Sequence, residues 1–107
     1  MMNKVIYNKL VRDKIPDILE QKNKQFSFSV MSDEEYKEKL LEKLQEEVSE
    51  FLLDPCVEEL ADIQEVLSSI TETMGFLDSD VQATRAKKLS SRGAFKEKYI
   101  LDFVLEG

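Results

Sequence analysis

Apolar residues recur along the middle of the chain at the three-and-four spacing of a helix with one buried face. The first stripe comprises Tyr36, Leu40, Leu41, Leu44, Val48, Phe51 and Leu52, and the second Leu60, Ile63, Val66, Leu67, Ile70 and Met74. Ser32 followed by Glu35 is a capping-box pattern, so the first helix is predicted to open there and run to about Leu53. Asp54-Pro55 reads as the N-cap and first-turn pair of the second helix, which runs to about Met74 before Gly75. Almost no connector is left between the two, which predicts a tight antiparallel hairpin.

The flanking pattern is less regular. Asp13 with Pro16 marks the entry to a helix over roughly 15–23. Residues 26–30 alternate apolar and polar, as in a short half-buried strand. A further helix is expected from Asp78 or Ser79 to near Ser91, then a turn at Arg92-Gly93-Ala94-Phe95. The apolar run from Tyr99 to Leu105 is compatible with a last strand pairing with 26–30. The fold class is therefore mainly α: a helix hairpin completed to a four-helix bundle by dimerisation, with short terminal β-strands. A chain of 107 residues fits one domain of this kind and buries a limited share of its surface, which favours a homodimer or higher homo-oligomer.

Composition narrows the chemistry. Three glycines and two prolines among abundant Leu, Glu and Lys suit helices, and 42% hydrophobic residues suffice for a core. A net charge of −7 argues against binding a nucleic acid polymer, which needs a basic footprint. The single cysteine, Cys56, permits no intramolecular disulfide and reads as a packing residue. No signal-peptide pattern and no long apolar run is present, so no membrane partner and a cytoplasmic location are expected. Histidine is absent, which removes every mechanism with an imidazole base or zinc ligand. Hydrolysis by this chain must run on carboxylates, a metal, or both.

The carboxylates are placed for that work. On a helical wheel Glu47 falls inside the apolar arc of the first long helix, beside Leu44 and Phe51, with Glu50 just outside it and Glu46 further round. On the second long helix Glu59 lies well inside the arc and Asp62 on its edge, while Glu58 and Glu65 point away. The hairpin sets Glu50 across from about Glu58–Glu59, and Glu47 across from about Ala61–Asp62. Two inward carboxylates need a compensating cation, because an isolated charge is costly to bury. Glu47, Glu50, Glu59 and Asp62 are the candidate ligands, and an all-oxygen site without His or Cys suits Mg²⁺ or Mn²⁺. One alternative is ordinary solvated surface, since Glu-rich helices are common. Another is neutralisation by Lys43 or a different cation, without metal.

Glu46-Glu47-Val48-Ser49-Glu50 followed by Glu59-Leu60-Ala61-Asp62 resembles the EExxE and ExxD motifs of the all-α nucleoside triphosphate pyrophosphohydrolases, the MazG-like superfamily. That superfamily includes the dimeric dUTPases and phosphoribosyl-ATP pyrophosphohydrolase. Residues 7–16, Tyr-Asn-Lys-Leu-Val-Arg-Asp-Lys-Ile-Pro, and the late Lys87-Lys88-x-x-x-Arg92-Gly93-Ala94-Phe95 resemble its phosphoribosyl-ATP pyrophosphohydrolase-like subgroup. Together these stretches span nearly the whole chain. The gap between Glu50 and Glu59 is shorter than in many MazG relatives, which bears on the shape of the nucleotide pocket and on which nucleotide it takes.

The resemblance implies Mg²⁺-dependent hydrolysis between the α and β phosphates of a nucleoside triphosphate or related nucleotide. Glu46 or Glu47 is the candidate for orienting or deprotonating the attacking water. Asn8, Lys9, Arg12, Lys88 and Arg92 are candidates for substrate contacts, since Arg forks and Lys match phosphate oxygens. Their ordinary alternative is solubility and the helix dipole. Two further functional readings stay open: a phosphoribosyl-ATP pyrophosphohydrolase of histidine biosynthesis, and a non-catalytic helical module whose stripes bind a partner helix.

Overall fold

A computed structural model describes residues 3–107 and contains four helices: α1 (Ile15–Gln21), α2 (Asp33–Leu53), α3 (Val57–Thr73) and α4 (Asp78–Arg92). The described chain is all-helical apart from its connecting and terminal segments. It falls into two compact units, Met1–Gly75 and Phe76–Gly107, taken separately below.

In the first unit, α2 begins as its capping pattern requires. Ser32 sits in extended geometry and its Oγ accepts from the Glu35 backbone N–H at 3.2 Å. Asp33, Glu34 and Glu35 place negative charge on the positive end of the helix dipole. Twenty-one residues without Gly or Pro then continue to Leu53, where Pro55 forbids further helix and holds Asp54 extended at φ −145°. The next helix starts two residues later than the sequence pattern suggests. Its N-cap is Cys56, at φ −150° and ψ 165°, with no side-chain cap, while Asp54 closes α2. Both residues before Val57 are therefore spent on reversing the chain. The connector is three residues, 54–56, and the helices pack as the expected hairpin. At the far end Gly75 takes φ +75°, the left-handed conformation that terminates α3 without steric cost.

Between α2 and α3 lies a thin core. Leu40 and Val66 are its buried apolar residues, with Tyr36, Leu44, Phe51, Ile63, Ile70 and Met74 half-buried. Leu41, Val48, Leu60 and Leu67, all on the predicted stripes, stay 38% to 47% exposed. Two helices can cover only one seam of each other, so the remaining apolar surface of each stripe stays open.

The segment before α1 is non-helical and bends at Asn8, which adopts φ 45°, a conformation Asn tolerates better than most residues. α1 has Lys14, not Asp13, at its N-cap, with Pro16 in its first turn. It ends at Gln21, and Asn23 at φ 56° follows. Residues 26–30 are not a strand: the Phe26 and Phe28 rings stack at 6.0 Å, but the backbone carries no ladder. An extended segment becomes a strand only when a partner satisfies its N–H and C=O groups.

In the second unit α4 runs from Asp78 to Arg92 and stops at Gly93, whose φ of +81° makes the expected turn. Tyr99 to Leu105 is likewise not a strand, and its apolar side chains are largely exposed. The predicted pairing with 26–30 is absent among the described residues. Among the described residues no helix is long and apolar enough to cross a membrane.

Candidate metal centre

Among the described residues Glu47 is the buried acid, only 6% exposed, in the seam between α2 and α3 toward their connecting turn. It has little compensation. Its Oε1 lies 3.3 Å from Lys43 Nζ, one turn earlier on the same helix. Its Oε2 is sealed from solvent and has no hydrogen-bond partner. Across the seam, Glu59 Oε2 is sealed and unpartnered in the same way. Burying such an oxygen unpaired is costly, more so for a charged group, so two in one seam is a pattern that a shared proton or a cation would relieve.

The surrounding acids form two overlapping triads. Glu47, Glu59 and Asp62 each present an oxygen within 4.8 Å of the others, and so do Glu46, Glu47 and Glu50. Glu47 belongs to both. The four expected ligands, Glu47, Glu50, Glu59 and Asp62, are thus distributed over this pair of triads, and Glu46 joins them at the outer one. Glu50 is exposed, Asp62 and Glu46 half-buried, and Glu58 and Glu65 face solvent as the wheel predicts.

Three cations reach the cluster from the first unit. Lys9 Nζ donates to Glu46 Oε1 at 2.9 Å, and Arg12 Nη2 donates to Asp62 Oδ1 at 2.7 Å. Lys43 adds Glu46 at 3.6 Å to its contact with Glu47. The idea that Lys43 neutralises the inward acids is therefore partly realised, yet it leaves both sealed oxygens unpaired. With all five carboxylates ionised, three cations leave a formal charge of −2, which one divalent cation would balance.

The electrostatics follow from this crowding. The Glu59 carboxyl is pushed up to about 7, first by desolvation, then by proton sharing with Glu47 and by the negative charge of Glu50. Glu46 is held below the usual carboxylate range, chiefly by the Lys9 hydrogen bond, and Lys9 is correspondingly raised by Glu46. Neighbouring carboxylates in opposite environments are a common property of sites that bind and release protons or cations.

The donor set fits a hard divalent cation. All available ligand atoms are carboxylate oxygens, drawn from two helices at one level. Of the expected substrate contacts, Lys9 and Arg12 are ion-paired to the cluster, and Asn8 forms the bend just before Lys9. Lys88 and Arg92 are exposed on the last turns of α4, in the second unit. Lys43 contacts both Glu46 and Glu47, more of the cluster than the sequence alone assigns to it. Its position four residues before Glu47 was the available signal. Comparison with protein-family models, curated proteins and solved structures finds no match for this chain.

Proposed function

We propose that this chain is a Mg²⁺-dependent nucleotide pyrophosphohydrolase, with Mn²⁺ as an alternative ion. It would cleave the α–β phosphate bond to give a nucleoside monophosphate and pyrophosphate, in a nucleotide house-cleaning role. The observation that carries this reading is the sealed, unpartnered Glu47 oxygen facing the equally unpartnered Glu59. An acid that is merely surface charge does not turn into a seam and leave an oxygen unpaired there.

Glu47, Glu50, Glu59 and Asp62 hold the ion. When bound, such an ion neutralises charge on phosphate oxygens and lowers the pKa of a coordinated water. Glu46 or Glu47 orients the attacking water or takes its proton. With Lys9 docked, Glu46 is a weak base, because its charged form is stabilised by that hydrogen bond. Asn8, Lys9 and Arg12 contact the phosphates or the base. A second copy of the chain covers the open stripes of α2 and α3, completing a four-helix bundle in a cytoplasmic homodimer or higher homo-oligomer.

The test is a screen of nucleotides with Mg²⁺ that scores pyrophosphate against orthophosphate release. Pyrophosphate with a monophosphate product supports the reading, and the preferred nucleotide names the base. Turnover restricted to phosphoribosyl-ATP would move the chain to histidine biosynthesis. The absence of metal-dependent turnover with every nucleotide, phosphoribosyl-ATP included, would favour a helical interaction module instead.

A further inference from the structure

The three cations on the acidic cluster are not equivalent. Lys43 is part of α2, and its distance to Glu47 is fixed by the helix. Lys9 and Arg12 come from the non-helical segment before α1, 37 and 50 residues away in sequence from the acids they touch. Each takes one corner of a different triad: Lys9 holds Glu46 of the outer triad, and Arg12 holds Asp62 of the inner one.

Little else fastens this segment. Val5, Ile6 and Tyr7 are each about two-thirds exposed and Val11 is 42% exposed, so apolar burial of the segment rests on the half-buried Leu10. Both ion pairs are partly solvated, and pairs of that kind contribute about 0–1 kcal/mol each. The left-handed bend at Asn8 sets the turn by which Lys9 approaches Glu46. Such a segment can leave the cluster at low energetic cost.

Docking also changes what the cluster can accept. With Lys9 and Arg12 in place the formal charge, all five carboxylates ionised, is −2, and with both withdrawn it is −4, while Asp62 regains a free oxygen and Glu46 Oε1 keeps only Lys43 at 3.6 Å. We propose that residues 3–14 form a cation lid on the acidic cluster, in which Lys9 and Arg12 occupy ligand corners in competition with the divalent ion. This rests on the metal-binding reading above and goes beyond it. Lid docking and metal loading then oppose each other, and the opposition is reciprocal: an ion that binds expels the lid, and a lid that is weakened admits the ion. The lid cations so released are free to meet an anionic ligand.

The test uses the full chain and Mn²⁺ alone, followed by electron paramagnetic resonance of the free ion at low ionic strength. The variant Lys9→Met with Arg12→Met removes the lid charges, and Lys24→Met with Lys37→Met makes the same net charge change away from the cluster. One unit charge several ångströms from a divalent ion is worth about tenfold in affinity even at the screening of bulk water. The lid variant is therefore expected to bind Mn²⁺ at least tenfold more tightly than wild type, with the control close to wild type. In wild type, Mn²⁺ should speed tryptic cleavage after Lys9 and Arg12, whose side chains are freed when the lid leaves. Equal or weaker binding by the lid variant, or unchanged or slower cleavage after Lys9 and Arg12 with Mn²⁺, would overturn the lid while leaving the metal site intact. No Mn²⁺ binding by wild type or either variant would overturn both.

Discussion

Replacing Glu47 with Gln separates a metal ligand from a structural acid, because the two roles predict opposite signs for stability. In the metal-free protein the substitution removes the Lys43 contact, a Lys-before-Glu pair at i,i+4 worth about 0.3–0.5 kcal/mol. It also removes a buried negative charge whose Oε2 has no partner, a defect that costs about 1–3 kcal/mol. The amide is nearly isosteric and supplies a donor facing the Glu59 carboxylate. The net effect expected is a gain of about 1 kcal/mol or more. For a domain near this size that raises Tm by roughly 4–8 °C per kcal/mol. Metal should reverse the order. An ion at one hundred times its Kd stabilises the wild type by about 2.7 kcal/mol, and the variant, lacking the shared ligand of both triads, should gain little of this. Calorimetry with and without Mg²⁺ or Mn²⁺ reads both arms. A Glu47→Gln protein that melts lower than wild type without metal, or that keeps the full metal-induced shift, would refute the reasoning.

The raised Glu59 carboxyl makes metal-free stability pH-dependent with a definite sign. The folded state holds a proton up to about 7 that the unfolded chain releases near 4.5, so this group's contribution is complete below 4.5 and lost as pH rises through 7. Melting temperatures from pH 5 to 8 should fall without metal and flatten with saturating Mg²⁺; a rise across that range would contradict the assignment. Glu50→Gln and Asp62→Asn should each abolish nucleotide turnover with far-UV circular dichroism unchanged, and full activity in either would remove that residue from the site. Leu41→Ser with Leu67→Ser, at open positions on the two stripes, should shift sedimentation toward monomer, and an unchanged profile would place the subunit contact elsewhere.

Much of this arrangement is written in local sequence. Ser32 with Glu35, Pro55 and Gly75 each act within a few residues, through a cap, a missing N–H and a left-handed backbone, and so the ends of the long helices are readable to within a turn. The inward aim of Glu47 follows from helical periodicity alone. Other features depend on contacts that periodicity does not encode. The N-cap of α3 passes from Asp54 to Cys56 because the reversal consumes both residues before Val57. The alternation at 26–30 and the apolar run at 99–105 lack a partner for their backbone groups, and alternation alone cannot supply one. The pairing of Lys9 with Glu46 and of Arg12 with Asp62 joins residues far apart in the chain, so their basic character was legible but their resting partners were not.

The central claim is that Glu47, Glu50, Glu59 and Asp62 hold a divalent ion, with the sealed oxygens of Glu47 and Glu59 turned toward it. Crystals soaked in Mn²⁺ and measured for anomalous scattering test it most directly. The expected result is a peak between α2 and α3 at coordination distance from Glu47 and Glu59 Oε2, absent from the Glu47→Gln protein. A saturating soak with no peak there, and with both oxygens hydrogen-bonded to protein or water instead, would contradict it.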